Sequence, residues 1–167
     1  MSNSSNPLVS ILMGSSSDAD TMASASKALR EFGIESEARV LSAHRTPHVL
    51  LKYIEGLEER GVQVIIAGAG MAAHLAGVIA GHTTLPVLGV PLAAGQLQGL
   101  DALLATVQMP GGVPVATFGI GSAGAKNAAY FAARMLGMQN PEIRARMEEV
   151  LESNRQKVLT ATLPEEF

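Results

Sequence analysis

The chain has 167 residues, enough for one domain with a sizeable core. Its formal charge of −3 excludes a basic nucleic-acid footprint, and the lack of cysteine excludes disulfides, thiolate nucleophiles and Cys-based metal sites. Charged residues make up 16% of the chain, against about 25% in typical soluble domains, and hydrophobic residues reach 47%, so the pattern predicts a homo-oligomer whose subunits cover one another.

Residues 1–7 are polar and read as a flexible lead-in without the cationic and apolar regions of a secretory signal. No apolar run is long enough to span a bilayer, so a cytoplasmic protein is expected. Residues 8–13 (LVSILM) form a nearly continuous apolar run, the pattern of a buried parallel strand. Gly14-Ser15-Ser16-Ser17-Asp18 follows, then a helix with Met22, Ala25, Leu29 and Phe32 on one face, stopped by Gly33. Residues 35–41 read as the second strand, delivering the chain to Ser42-Ala43-His44-Arg45-Thr46-Pro47. Thr46 fits an N-cap and Pro47 the first helical position of a helix running to about Arg60, with Leu50, Tyr53, Ile54 and Leu57 facing inward.

The third strand is expected at 62–67, opening into Gly68-Ala69-Gly70-Met71-Ala72-Ala73-His74-Leu75 and a helix to about Gly81. Residues 86–90 read as the fourth strand, closed by Pro91. Residues 92–99 look like loop, 100–107 like a short helix and 113–118 like the fifth strand. A helix of small residues, 123–137, and a last helix capped by Asn140-Pro141 complete the pattern. These two helices are the expected contact faces of the oligomer, and residues 160–167 read as a frayed tail.

Alternating strands and helices predict a single α/β domain over 1–167. The architecture expected is three-layer and flavodoxin-like, a five-stranded parallel sheet of order 2-1-3-4-5 with helices on both faces and a C-terminal helix added. Ligands bind such sheets at the C-terminal strand ends, so three loops should meet there: 14–18, 42–47 and 68–75.

In that crevice Arg45, at a helix N-terminus, reads as an anion clamp and His44 as a proton carrier; the alternative is a surface loop with two solvated side chains. The serine hydroxyls and N–H groups of 14–18 can hold a phosphate, although the loop lacks the Gly-Lys-Ser/Thr ending of a Walker motif. Asp18 can accept from sugar hydroxyls, or Asp18 or Ser17 is only an N-cap. Gly68-Ala69-Gly70 suits close approach of a flat ligand to the backbone. His74 reads either as a substrate contact or as a capping or packing residue. His48 and His82 look peripheral, and the histidines lack metal-ligand spacing, so no metal is expected.

Taken together, Gly14-Ser15-Ser16-Ser17-Asp18, the 42–47 hexapeptide, Ala67-Gly68-Ala69-Gly70, Ala72-Ala73-His74-Leu75, Pro86-Val87-Leu88-Gly89-Val90-Pro91, Gln108-Met109-Pro110 and the run from Ile120 to Ala129 resemble the N5-carboxyaminoimidazole ribonucleotide mutase family of purine biosynthesis. The resemblance covers about 8–136, and Arg45 is the mutase form of a position where the related carboxylases tend to carry Lys. Two positions depart from the family pattern: Met71 stands where Gly is usual and Ala76 where Pro is usual. The resemblance implies a cofactor-free migration of a carboxylate from N5 to C4 of an aminoimidazole ribonucleotide, in an octamer. His44 would be the general acid/base. Ser15, Ser17, Asp18, Ser42, Arg45, Ala69, Gly70, His74 and Leu75 would bind the substrate, with Ala69, Ala72, Ala73 and Leu75 walling in carbon dioxide. The alternatives are a carboxylase using free carbon dioxide on the same substrate and a non-catalytic flavodoxin-like nucleotide-binding module.

Overall fold

Apolar runs that cannot face water on either side pair into one parallel five-stranded sheet of order β2-β1-β3-β4-β5, the order predicted. A computed structural model describes residues 6–163 and Glu166; within the predicted flexible ends, 1–5, 164, 165 and 167 lie outside the described residues. The strands are β1 (Val9–Met13), β2 (Ser36–Val40), β3 (Val64–Gly70), β4 (Val87–Leu92) and β5 (Ala116–Thr117). The helices are α1 (Ala19–Glu31), α2 (Pro47–Glu55), α3 (Leu75–Ala80), α4 (Leu100–Val107), α5 (Ser122–Gly137) and α6 (Pro141–Leu159), with a short 3-10 turn (Ser16–Asp18) leading into α1.

Strand alternation sorts the core into two layers. Val9, Ile11 and Met13 of β1, with Val64 and Ile66 of β3, pack under α1 and α5. Leu12, Ile65 and Ala67 face the other way, onto α2 and α3. The expected stripe of α1 is buried in full, and of the inward positions read for α2 only Tyr53 is half-buried. Asn140 caps α6 as read, its Oδ1 accepting from the N–H groups of Glu142 and Ile143 at 3.0 and 3.2 Å.

Four boundaries depart from expectation, each for a local reason. α2 stops at Glu55 rather than Arg60 because Gly56 ends it, and the chain passes through a turn to Gly61 at φ +87. β3 runs on to Gly70, so the Gly68-Ala69-Gly70 backbone is sheet and not loop. β4 continues through Pro91 to Leu92. Pro91 accepts from Gly121 N–H on the β5 side, so its missing N–H also faces the side where β5 has ended. β5 is reduced to Ala116–Thr117, since it is an edge strand with Pro114 ahead of it.

Of the two expected contact faces, on α5 and α6, the one on α5 does not come from its small residues. Its small-residue stripe, Ala125, Ala128, Ala129, Ala132 and Ala133, is already fully buried inside the chain, in the layer it shares with α1. Gly124 belongs to this close packing, because a Cβ there would overlap the carbonyl of Gly119. Exposed apolar surface remains on α4 and just before it, where Leu97, Leu100, Leu104 and Val107 are each about half exposed, at Phe131 and Met138 on and after α5, and at Val158 and Leu159 near the end of α6.

Candidate functional site

The C-terminal ends of β1, β2 and β3 are adjacent in the sheet, and the loops that leave them enclose a cleft of about 360 Å³. Gly14, Ser15, Ser17 and Asp18 form one side of the cleft. Ser42, Ala43, His44 and Arg45 form a second, and Ala69, Gly70, Met71, Ala72 and Leu75 a third, with Ala94 closing the rim. Of the residues singled out from sequence, all but His74 and Ala73 line this space. Ala73 turns into the core at 1% exposure, so it is not part of the wall. Ala94 had no signal of its own in a stretch read only as loop; the extension of β4 to Leu92 carries it to the rim.

The first loop is a capping box. Ser15 N–H donates to Asp18 Oδ2 at 3.1 Å, and Ser17 donates to Ser15 Oγ through N–H at 3.3 Å and through Oγ at 2.9 Å. Asp18 N–H donates to Ser15 carbonyl and Ala19 N–H to Ser16 carbonyl. These N–H groups are therefore committed within the loop, not directed at a ligand as the sequence reading expected. Ser15 Oγ accepts twice and keeps its own proton for an outside acceptor. The N-cap is Ser15, rather than Asp18 or Ser17. Burial pushes the Asp18 carboxyl above its usual value, against the opposing hydrogen bonds from Ser15 and Ser17.

The second loop folds on Ser42. Its Oγ accepts Arg45 N–H at 3.1 Å, and Thr46 Oγ1 accepts Ser42 N–H at 3.0 Å while donating back to the Ser42 carbonyl at 3.1 Å. Thr46 occupies the N-cap position of α2 but makes no side-chain cap bond, because its hydroxyl is turned back to Ser42. Pro47 takes the first helical turn as predicted. The turn leaves His44 and Arg45 exposed at the mouth. Among the described residues the ion pairs are Arg60–Glu37 and Arg155–Glu152, so Arg45 faces the cleft without an acidic partner.

His74 stands beside His44 and is itself exposed. The two imidazoles meet edge to face, with Nε2 of His44 2.9 Å from Nδ1 of His74. One nitrogen must donate and the other accept, so this contact couples the tautomers of the two rings. His74 occupies the N-cap position of α3 and makes no side-chain cap bond. His82 donates from Nδ1 to the Val78 carbonyl at 2.7 Å, away from the cleft. Among the described residues no group of three or more His, Cys, Asp or Glu can hold a metal ion.

A family model described as AIR carboxylase matches residues 8–157. The chain belongs to the AIR carboxylase family. It is 58% identical over 141 residues to an N5-carboxyaminoimidazole ribonucleotide mutase of Mycobacterium tuberculosis, covering 84% of this chain and 80% of that one. It is 51% identical over 156 residues to one of Bacillus subtilis, covering 93% and 96% of the two chains. A crystal structure of Treponema denticola PurE superposes with a TM-score of 0.81 at 31% identity, over 92% of this chain and 94% of that one. The two departures from the family pattern have different physical weight. Ala76 is buried in the first turn of α3, where an N–H has no intrahelical acceptor and Pro or Ala fits equally. Met71 lies in the left-handed region at φ +53, where Gly is at ease and other residues are uncommon.

Proposed function

We propose that this chain is an N5-carboxyaminoimidazole ribonucleotide mutase, acting in the cytoplasm on a small ribonucleotide without a cofactor. The observation that carries the reading is one cleft that joins an uncompensated Arg45, hydroxyl donors from Ser15 and Ser42, and the imidazole of His44. Close relatives named as this mutase support it across most of the chain.

The chemistry needs little machinery. The N5 carbamate loses carbon dioxide as N5 takes up a proton. C4 of the freed aminoimidazole then attacks the carbon dioxide, and the proton on C4 leaves. One proton enters and one departs, so a single acid/base serves both steps, and His44 is that group. No atom is gained and nothing is oxidised, so no redox partner enters. Arg45, Ser15, Ser17, Asp18 and Ser42 hold the ribose phosphate, and the ring lies along the Ala69 and Gly70 backbone, where no long side chain stands in its way. Ala69, Ala72 and Leu75 wall in the carbon dioxide and exclude water. His74 acts through His44 by setting its tautomer.

The cleft is open in a single chain, and with the apolar row on α4 this supports an octamer in which neighbouring subunits cover these faces. The deciding assay follows interconversion of the two carboxylated ribonucleotides with and without added bicarbonate. Conversion independent of bicarbonate is expected. An absolute requirement for bicarbonate would make the chain a carboxylase, and binding without turnover would make it a nucleotide-binding module.

A further inference from the structure

The hydroxyl of Thr46 does not do what its position invites. A Thr at an N-cap ordinarily accepts from an N–H of the first helical turn. Asn140 does this for α6, with extended backbone at φ −120 and ψ +104. Thr46 instead has φ −134 and ψ +46 and makes no side-chain cap bond to α2. Its Oγ1 accepts Ser42 N–H at 3.0 Å and donates to the Ser42 carbonyl at 3.1 Å. Thr46 N–H donates to the same carbonyl at 3.0 Å. Both backbone polar groups of Ser42 therefore go to one residue.

The two ends of this loop have separate anchors. On one side Leu41 N–H donates to the Met13 carbonyl of β1 at 2.9 Å, so the sheet holds the chain as far as Leu41. On the other, Leu50 N–H donates to the Thr46 carbonyl at 3.0 Å, which starts the bonding of α2. The Thr46 hydroxyl joins the two anchors across Ala43, His44 and Arg45, and Ser42 Oγ takes the Arg45 N–H inside the closed ring. Thr46 lies outside both core layers and does not line the cleft. Neither packing nor ligand contact accounts for the cap that its hydroxyl forgoes.

We propose that Thr46 is a positioning residue of the reaction, its hydroxyl closing the 42–46 loop so that His44 keeps one aim through both proton transfers. The proposal rests on the mutase reading. N5 is borne by the ring carbon next to C4. His44 gives a proton to N5 as the N5–carboxyl bond breaks, and takes one from C4 once the C4–carboxyl bond has formed. One imidazole serves both atoms only if the backbone that carries it holds its place between the steps. Thr46 itself exchanges no proton with the substrate. A misplacement of about 1 Å costs roughly 10²-fold in rate. The contact of His44 Nε2 with His74 Nδ1 at 2.9 Å depends on the same aim, so it reports on the loop without turnover.

The test compares Thr46→Val, which keeps the branched shape without the hydroxyl, with Thr46→Ser, which keeps the hydroxyl. For each, kcat at saturating ribonucleotide and the 15N signature of the His44 ring are read. Thr46→Val should fold as wild type by circular dichroism, lose about 10²-fold in kcat, and show His44 as a mixture of tautomers where the wild type shows one. Thr46→Ser should match the wild type in both readouts. Thr46→Val with wild-type kcat or an unchanged 15N signature, or Thr46→Ser falling as far as Thr46→Val, overturns the proposal. Should Val weaken the fold, Thr46→Ala is held to the same outcomes. A wild-type protein that does not interconvert the two ribonucleotides overturns the mutase reading instead, and the 15N comparison then still judges the loop.

Discussion

Replacing His44 by Asn removes the proton carrier while keeping a polar side chain of similar reach. Positioned proton transfer contributes about 10²–10⁴-fold, or roughly 2.7–5.4 kcal/mol at 1.36 kcal/mol per tenfold. The structure places this case toward the upper end of that range. The nearest other imidazole, His74, is hydrogen-bonded to His44 at 2.9 Å and does not line the cleft. A proton passing between substrate and His74 would need a bridging water, in a space the reaction requires to be dry. A loss of about 10³–10⁴-fold in kcat is expected on these grounds, with ribonucleotide affinity near wild type by calorimetry. His74→Asn should cost about tenfold or less and change the 15N signature of the His44 tautomer. The reasoning fails if His44→Asn keeps more than about a tenth of wild-type turnover, below the least effect such catalysis has. The proton would then travel by another route.

Arg45→Ala should raise KM about tenfold to a hundredfold, the effect of losing a charge-assisted hydrogen bond of roughly 1.5–3 kcal/mol. Arg45→Lys should recover part of it, since a point charge replaces a planar fork, and unchanged binding in Arg45→Ala would remove the phosphate assignment. Glu37→Gln should lower stability at neutral pH by about 1 kcal/mol, discounted because Arg60 is 40% exposed. Burial raises the Glu37 carboxyl, but hydrogen bonds from Tyr53 and Arg60 outweigh it and hold the group below its ordinary 4.5. A depressed carboxylate stabilises the fold above that value and loses the contribution as pH falls beneath it, so the wild-type advantage in urea midpoint should narrow in acid. A constant gap from neutral pH into acid would deny the ion pair this role. Sedimentation at micromolar concentration should show an octamer, with Leu104→Lys shifting it to smaller species; a monomeric wild type would leave the half-exposed row on α4 unexplained.

Strand order and the meeting of three loops were readable from the sequence because both follow from alternation. Continuous apolar runs between amphipathic helices leave few ways to build a parallel sheet, and the switch point then names its own loops. The residues lining the cleft followed because Ser15, His44 and Arg45 sit within a few residues of strand ends. What escaped the sequence reading depends on how side chains answer one another across space. Thr46 Oγ1 bonds the backbone of Ser42 instead of capping α2, and nothing in the hexapeptide says that Thr46 turns backward. Ala72 and Ala73 are chemically identical, yet one lines the cleft and the other enters the core. The alanine stripe of α5 has the same pattern whether it meets another subunit or α1. Only the tertiary arrangement distinguishes the two, and it puts α1 there.

The far end of the sheet bears on the site through α2. Ser10, buried in the middle of β1, lies 2.9 Å from Tyr53 Oη, which donates to Glu37 Oε1 of β2 at 2.7 Å. Arg60 donates to the same oxygen at 2.8 Å and packs over the Tyr53 ring, 4.7 Å from its centroid. Burial and the neighbouring carboxylate push the Tyr53 hydroxyl up to about 12, so it remains a donor throughout the working range of pH. Because the Tyr53 proton goes to Glu37, Ser10 must donate to Tyr53, and the chain of bonds has one direction. These bonds fasten the C-terminal half of α2 to two strands at once. The other end of α2 begins at Pro47, directly after His44, Arg45 and Thr46. A nine-residue helix is a rigid rod of roughly 13 Å, so fixing one end fixes the aim of the other. Exposed side chains at a cleft mouth are poorly held by packing, and here the backbone that carries them is held instead, by a polar cluster that does not line the cleft.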